Sequence, residues 1–86
     1  MKHYVYIIKS LADGILYKGY STYYLKRLEA HNRGESRYTS KKIPWVLVYA
    51  EELPNKTMAL IREKQLKRAN TNYLEWLMTQ PTNLVK

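Results

Sequence analysis

Two short runs of β-branched and aromatic residues flank an Asp-Gly pair near the start of the chain, and this pattern constrains the fold more than any other. Residues 4–9 and 16–20 have the composition of strands, and Asp13-Gly14 between them is a strong signal for a hairpin turn. We therefore predict that the chain begins with an antiparallel β-hairpin.

The length of the hairpin loop decides where two tyrosines point. Residues opposite each other in an antiparallel pair have numbers with a constant sum, and a loop with an even number of residues places Tyr6 and Tyr17 on one face. If the loop is residues 11–14, Tyr17 lies opposite Ile8 and diagonal to Tyr6. A tighter turn at residues 13–14 leaves the two phenols farther apart, and an odd-length loop puts them on opposite faces.

A helix is predicted directly after the hairpin. Ser21 or Thr22 can cap it, it runs to about Arg33, and Gly34 ends it in the left-handed conformation that glycine adopts cheaply. Its apolar residues, which are expected to be buried, are Leu25 and Leu28.

The rest of the chain predicts one more strand and two more helices. The strand starts at Trp45, and its nearly continuous apolar run indicates burial on both faces. A second helix covers about residues 56–68 after Pro54-Asn55, with Leu60, Ile61 and Leu66 as its apolar positions. A third helix follows a cap at Asn70 or Thr71 and ends before Pro81.

These elements predict the fold class and the domain organisation. We expect an α+β fold, with a three-stranded antiparallel sheet flanked by helices, in a single domain at residues 1–80. Residues 81–86 are expected to be a short, frayed C-terminal tail.

The charge of the chain favours a polyanionic partner. Lys and Arg number 15 against 7 Asp and Glu, which gives a net charge of +8 and a pI near 9.8. Nucleic acid fits this charge best, although ribosomal and membrane-surface proteins share it. With no cysteine, the chain can form neither a disulfide nor a cysteine-ligated zinc site. Its apolar runs are too short for a signal peptide or a membrane span, so we expect a cytoplasmic protein without membrane contact.

Tyrosine is unusually concentrated in the hairpin and the first helix. Six of the nine tyrosines lie within residues 4–34, while the chain has no phenylalanine. A phenol hydroxyl in a dry core needs a hydrogen-bond partner, so phenylalanine would fill a packing role more simply. Arg27 and His31 lie one helical turn apart, on a helix that starts beside these phenols.

The pattern resembles a standalone GIY-YIG nuclease domain of the small bacterial type, over about residues 4–67. Tyr-Val-Tyr at 4–6 and Tyr-Lys-Gly at 17–19 match the two family triplets, although Tyr4 replaces the usual glycine and Lys18 the usual isoleucine. Arg27 and His31 follow at the family spacing, and Glu63 lies on a helix where the family has its metal-binding glutamate.

The resemblance implies a chemistry for each matching residue. Glu63 would hold a single divalent cation, Mg²⁺ or alternatively Mn²⁺, and Arg27 would bind the scissile phosphate. Either Tyr6 or Tyr17 would be the general base, with Tyr6 preferred and nearby positive charge lowering its pKa. His31 would orient a phenol or assist proton transfer. The catalytic asparagine common in the family has two candidates here, Asn70 and Asn72.

The implied function is a metal-dependent endonuclease that cuts DNA with little sequence preference. The candidate substrates include branched, nicked or damaged DNA, and a protein partner is a further alternative. The basic residues expected to bind the DNA backbone are Lys18, Arg33, Arg37, Lys41, Lys42 and Lys67.

Each site residue also has a purely structural interpretation. The two phenols can be a cross-strand aromatic pair, Arg27 and His31 a solvated helix face, and Glu63 with Lys67 an ordinary i,i+4 ion pair. On that interpretation the protein is a nucleic-acid-binding module on the same scaffold, or an interaction protein. Four other tyrosines are given no catalytic role and are expected to pack at the core edge or surface, namely Tyr23, Tyr38, Tyr49 and Tyr73.

Overall fold

The computed structural model describes residues 1–85, and it contains the predicted hairpin. Strand β1 spans His3–Ser10 and β2 spans Leu16–Ser21. Residues 11–15 lie between them, and Ser10 N–H donates to Ile15 C=O at 2.9 Å, so the turn itself is residues 11–14. Gly14 has the positive φ of +78° that the turn requires. The pairing places Ile8 opposite Tyr17. The register predicted from the four-residue loop is therefore confirmed, and the tighter turn is wrong.

The third strand, β3 at Trp45–Leu53, completes an antiparallel sheet whose order is β2-β1-β3. The central position of β1 explains its four consecutive buried residues, 5–8. Being an outer strand, β3 is less buried than its apolar run indicates, and Val46 is 37% exposed. The predicted three-stranded antiparallel sheet is confirmed, while burial of β3 along both faces is wrong.

Each face of the sheet has its own apolar core. One core joins Val5, Ile7 and Tyr49 to Ala59 and Leu66, and it lies under the second and third helices. The other is built around Tyr6, Ile8 and Trp45, with Tyr17 and Leu28 packed against it. Since alternate residues of a strand face opposite sides, Tyr6 and Tyr17 share the face that the first helix covers.

The first helix, α1 at Tyr24–Asn32, starts later than predicted. Ser21 Oγ instead accepts the Tyr23 backbone N–H at 2.8 Å, so neither Ser21 nor Thr22 caps the helix. Gly34, with φ of +79°, ends it as predicted. Leu25 is 50% exposed, which corrects its predicted burial.

Both later helices begin with an asparagine cap. Helix α2 spans Lys56–Arg68, as predicted, and Asn55 accepts the N–H of Met58. Helix α3 spans Thr71–Met78, and Asn70 accepts the N–H of Tyr73. On α2 the buried residues are Ala59 and Leu66, whereas Leu60 and Ile61 are exposed.

The end of the described chain is attached to the sheet. The amide group of Asn83 hydrogen-bonds to Ala50 N–H, Val48 C=O and Met78 C=O, and Leu84 N–H donates to Ala50 C=O. The expected fraying of this segment is therefore wrong as far as residue 85. No helix within residues 1–85 has the length and apolarity that a membrane span needs.

Candidate active site

The Tyr6 phenol lies at the centre of the candidate site. Strand pairing puts Tyr6 opposite Gly19, and its ring occupies the space above that glycine. The side chain is almost completely buried, and its hydroxyl lies 3.0 Å from His31 Nε2. Burial is the main reason that the pKa of Tyr6 lies above 10.0, and the Arg27 guanidinium opposes the shift. Arg27 lowers the pKa of Tyr6 in the predicted direction, but desolvation by burial outweighs the effect of Arg27.

His31 is held between Tyr6 and a threonine. It lies in the last turn of α1 and is completely buried, and its Nδ1 is 2.8 Å from Thr39 Oγ1. Thr39 begins the short 3₁₀ helix Thr39–Lys41. Its position is fixed because its backbone C=O accepts a hydrogen bond from Trp45 Nε1–H at 2.9 Å. Burial, and then the charge of Arg27, lower the pKa of His31 below 6.5. The imidazole is consequently neutral at pH 7.

Tyr17 reaches the same place from β2. Its ring meets the His31 ring edge-on, with 5.0 Å between centroids, and the Trp45 ring at 6.3 Å. Within residues 1–85 the Tyr17 hydroxyl has no hydrogen-bond partner, and its oxygen is not completely buried. This phenol is therefore open to solvent, in contrast to that of Tyr6.

Arg27 and Glu63 bring opposite charges to the Tyr6 hydroxyl. Arg27 lies on the exposed side of α1, and its charge lowers the pKa of both Tyr6 and His31. Glu63, on α2, is close enough for its negative charge to raise the pKa of Tyr6. The helices α1 and α2 cover opposite faces of the sheet, so Arg27 and Glu63 act on Tyr6 from different faces.

Glu63 brings a single carboxylate to the site, which would suit only a cation that keeps most of its water. Among the described residues, no group of three or more His, Asp or Glu side chains is assembled for a metal. Mg²⁺ needs no such group, because it retains several waters and uses one or two carboxylates together with substrate phosphate oxygens. The Glu63 side chain is 18% exposed and lies 3.6 Å from Lys67 Nζ, so the predicted i,i+4 pair is present as well.

Among the residues predicted to be catalytic, Tyr17, Arg27 and His31 lie around the Tyr6 hydroxyl, and Glu63 is near enough for its charge to act on Tyr6. The two asparagine candidates lie at the start of α3. Asn70 uses its side-chain oxygen to cap α3. Asn72 is exposed on the same helix. Two residues of the site were missed from the sequence. Gly19 was visible within its triplet but received no role. Thr39 begins a three-residue 3₁₀ helix that the sequence pattern does not predict.

The six basic residues predicted to bind DNA differ in how their charges are used. Arg33 lies 2.6 Å from Glu35, Lys42 lies 2.6 Å from Asp13, and Lys67 pairs with Glu63. Lys18 is half-buried on β2, on the face that α2 covers. Within residues 1–85, three of the six have no carboxylate at salt-bridge distance: Lys18, Arg37 and Lys41.

The other phenols of the described chain have structural partners where they are buried. Tyr49 donates to Glu51 Oε1 at 2.6 Å, and burial together with this hydrogen bond raises the pKa of Tyr49 to about 12. The hydroxyl of Tyr20 lies 2.8 Å from His3 Nδ1. These contacts explain why a chain without phenylalanine uses tyrosine in its packed regions, and they keep both residues out of the candidate site.

The fold and the site define a class of small α+β domains. In this class a hairpin carries two tyrosines, the following helix an arginine and a histidine, and a later helix a glutamate. The family profile described as "GIY-YIG catalytic domain" matches residues 2–75. The chain therefore belongs to the GIY-YIG family, as its sequence motifs predicted.

The chain is also similar to proteins named UPF0213. It is 45% identical over 67 residues to UPF0213 protein SH2523 of Staphylococcus haemolyticus, covering 77% of this chain and 80% of that protein. A UPF0213 protein of Staphylococcus aureus is 46% identical over 66 residues, with coverage of 76% and 79%. The solution NMR structure of UPF0213 protein BH0048 from Bacillus halodurans superposes with a TM-score of 0.60 at 32% identity, covering 95% of this chain and 87% of that one.

Proposed function

We propose that this protein is a metal-dependent endonuclease that hydrolyses DNA phosphodiester bonds with little sequence preference. The contact between the Tyr6 hydroxyl and His31 Nε2 carries the proposal, because it places a phenol against a neutral base within reach of Arg27 and Glu63. A cross-strand aromatic pair needs neither the buried histidine nor the two charges. Membership of the GIY-YIG family supports the same class of reaction.

The phenol and the imidazole form a path for a proton. Thr39 Oγ1 can accept a hydrogen bond from His31 Nδ1–H. His31 Nε2 is then unprotonated and accepts a hydrogen bond from the Tyr6 hydroxyl. The Tyr6 oxygen then presents its lone pairs to a water molecule. As the oxygen of that water bonds to phosphorus, its proton passes to Tyr6, and the Tyr6 proton passes to His31.

The remaining residues bind and orient the substrate. Arg27 can hold two oxygens of the scissile phosphate with its planar guanidinium, and the solvent-open hydroxyl of Tyr17 can donate to the attacking water or to a phosphate oxygen. Glu63 would hold a divalent cation, which would supply positive charge that stabilises the phosphoryl oxygens. The bond from phosphorus to the leaving oxygen breaks, and that oxygen takes a proton from solvent.

The natural substrate and its location belong to the same proposal. Branched, nicked or damaged DNA fits a site that has no element for reading base edges, and a protein partner would be a second way to select a substrate. A chain without cysteine suits the cytoplasm.

A cleavage assay tests the proposal. Plain, nicked and branched DNA are incubated with Mg²⁺ or Mn²⁺ and with wild type, Tyr17→Phe, Arg27→Ala or Glu63→Gln, each checked for folding. Glu75→Gln is the matched control, because Glu75 is exposed on α3 and outside the site. We expect wild type and the control to cut and the three site variants to lose at least 100-fold in rate. Equal cleavage in every sample would reveal a contaminating nuclease and contradict the proposal.

A binding module without catalysis is the second candidate function. It is favoured by the Lys67 ion pair, which occupies Glu63, and by the cap at Asn70, which removes one candidate for the catalytic asparagine. On this hypothesis wild type binds DNA and cuts none of the substrates with either metal. The same assay, run beside a binding measurement, separates the two functions.

A further inference from the structure

A concave surface lies beside the candidate active site and has an aromatic wall. It encloses about 490 Å³ and is lined by Arg37, Tyr38, Lys41 and Lys42. The Tyr38 side chain is 53% exposed, which is high for a large aromatic residue on a small domain. We call this surface, defined by these four residues, the Tyr38 groove.

The Tyr38 ring is supported on its protein side. The Tyr17 ring lies 6.2 Å away at an interplanar angle of 30°, and Lys42 Nζ lies 5.8 Å from the Tyr38 centroid. Lys42 is itself fixed by Asp13 at 2.6 Å. The ring is therefore held in place while about half of its surface faces solvent, as a stacking platform requires.

Two positive charges at the groove have no acidic neighbour. Within residues 1–85, no carboxylate lies at salt-bridge distance from Arg37 or Lys41, whereas Lys42 is neutralised by Asp13. An exposed aromatic ring flanked by unpaired cations is the chemistry that proteins use for single-stranded nucleic acid, where the ring stacks on a base and the cations bind the backbone.

The groove adjoins the residues proposed to be catalytic. Tyr17 contacts both the Tyr38 ring and the His31 ring, with centroid distances of 6.2 and 5.0 Å. Thr39, the residue after Tyr38, hydrogen-bonds to His31. A strand whose phosphate lies at Arg27 can therefore place a neighbouring nucleotide in the groove.

We propose that the Tyr38 groove is a nucleotide subsite that binds one unpaired base on Tyr38 and its phosphate on Arg37 and Lys41. A base inside a duplex stacks on its neighbours and offers no free face to Tyr38. The subsite consequently selects DNA with a single-stranded segment next to the cleaved bond. This inference rests on the proposed function, whose substrate class it narrows. It also revises the expectation that Tyr38 only packs.

Binding without cleavage tests the subsite independently of catalysis. Fluorescence anisotropy is measured in a chelator, with a labelled oligothymidine and a duplex of equal length as probes. We expect wild type to prefer the single strand. Tyr38→Ala should weaken single-strand binding about 5- to 150-fold and change duplex binding less than twofold. Tyr38→Trp, which keeps a stacking surface, should bind the single strand at least as well as wild type.

The chain offers a matched control in Tyr23. That tyrosine is 55% exposed and has Lys26 Nζ at 5.4 Å from its ring centre, so it repeats the exposure and the cation of Tyr38 outside the groove. Tyr23→Ala should leave single-strand affinity within twofold of wild type. Replacing both Arg37 and Lys41 by Gln should reduce the salt slope of single-strand binding by about 0.7, because the contact to one phosphate is lost.

The outcomes separate this inference from the proposed function. Equal losses on both probes in Tyr38→Ala, an equal loss in Tyr23→Ala, or no binding of the single strand by wild type would each overturn the subsite. If Tyr38→Ala cleaves DNA as fast as wild type, the proposed nuclease function is supported and the subsite is overturned. Selective single-strand binding by a protein that cuts nothing would support the subsite and overturn the nuclease. Unfolding curves confirm that each variant is folded.

Discussion

The phenol ring of Tyr6 lies directly over Gly19, its partner across the hairpin, and occupies the space that a side chain there would need. A Cβ atom at position 19 would come within 2.5 Å of both the Cζ and the hydroxyl oxygen of Tyr6. Positive φ angles occur at Gly14 and Gly34 instead. Glycine is therefore required at position 19 because a side chain there would collide with Tyr6. The last residue of the second family triplet thus depends on the last residue of the first.

Gly19→Ala should destabilise the protein and displace the Tyr6 hydroxyl from His31. Overpacking at a buried site costs about 1–3 kcal/mol of unfolding free energy, because the ring has to move against its neighbours. Urea unfolding measures the loss, and the ring ¹⁵N shifts of His31 report the broken hydrogen bond. Unchanged stability together with unchanged His31 shifts would contradict the prediction.

Gly14→Ala is the control for a general effect of replacing glycine. It introduces strain at a φ of +78° but meets no atom within 4 Å. We expect it to lose about 1 kcal/mol of unfolding free energy while the His31 shifts stay at their wild-type values.

Thr39→Val should destabilise the folded protein through His31. Valine keeps the shape of threonine but cannot bond to Nδ1, so a buried ring nitrogen is left without a partner at a cost of about 1–3 kcal/mol. Thr39→Ser should restore most of this loss. In the control, Thr79→Val removes an exposed hydroxyl that bonds to Trp76 C=O, and it should cost less than about 0.5 kcal/mol. Equal unfolding midpoints for the two valine variants would refute the role of Thr39.

Stability should fall as the pH drops below about 6.5, because His31 resists protonation only in the folded state. The titratable and charged groups that face His31 are Tyr6 on β1, Tyr17 on β2 and Arg27 on its own helix. Burial, and then the charge of Arg27, lower the pKa of His31. The pKa of His31 is lower in the folded protein than in the unfolded chain. At pH values between these two pKa values the unfolded chain binds more protons, so the free energy of unfolding increases with pH there.

Urea midpoints measured from pH 5.0 to 7.5 check this dependence. The slope from one group cannot exceed about 1.4 kcal/mol per pH unit, and it should largely disappear in His31→Gln. The lowered pKa of Asp13 acts in the same direction but only below about pH 3.8, outside the measured range. A slope of equal size in His31→Gln would assign the dependence to other groups.

Arg27→Gln should raise the pKa of His31. The guanidinium charge disfavours a second positive charge on the imidazole, and glutamine removes that repulsion while leaving the burial of His31 in place. NMR titration of the His31 ring measures the shift without any substrate. Lys26→Gln removes a neighbouring charge on the same helix and serves as the control. A His31 pKa that is the same in wild type and Arg27→Gln would show that the two groups do not interact.

Local chemistry made several elements predictable from the sequence. The register of the hairpin follows from the length of its four-residue turn. The starts of α2 and α3 follow from Asn55 and Asn70, whose side chains accept a backbone N–H three residues later. The GIY-YIG resemblance was carried by the same local motifs. These features depend on neighbours in the sequence, so a single chain is enough to reveal them.

Features that depend on distant contacts were predicted poorly. Leu25 and Ile61 are apolar residues on amphipathic helices, yet each is about half exposed, because the width of the sheet decides which helix positions it covers. Thr39 reaches His31 only through the course of a polar loop, which no periodicity describes. The sequence predicted nearby positive charge at Tyr6, but the opposing desolvation depends on the complete fold.

Asn83 provides a last prediction, about the segment that was expected to fray. Its side chain pairs with the backbone of Ala50, Val48 and Met78, so it joins the end of the chain to the outer strand and to α3. Asn83→Ala leaves these groups unpaired and should cost about 1–3 kcal/mol of unfolding free energy. Asn72→Ala, at an exposed position, should change it by less than about 0.5 kcal/mol. Similar urea midpoints for both variants would mean that the segment contributes nothing to the fold, whereas a selective loss together with faster amide exchange at Ala50 would establish it as part of the sheet.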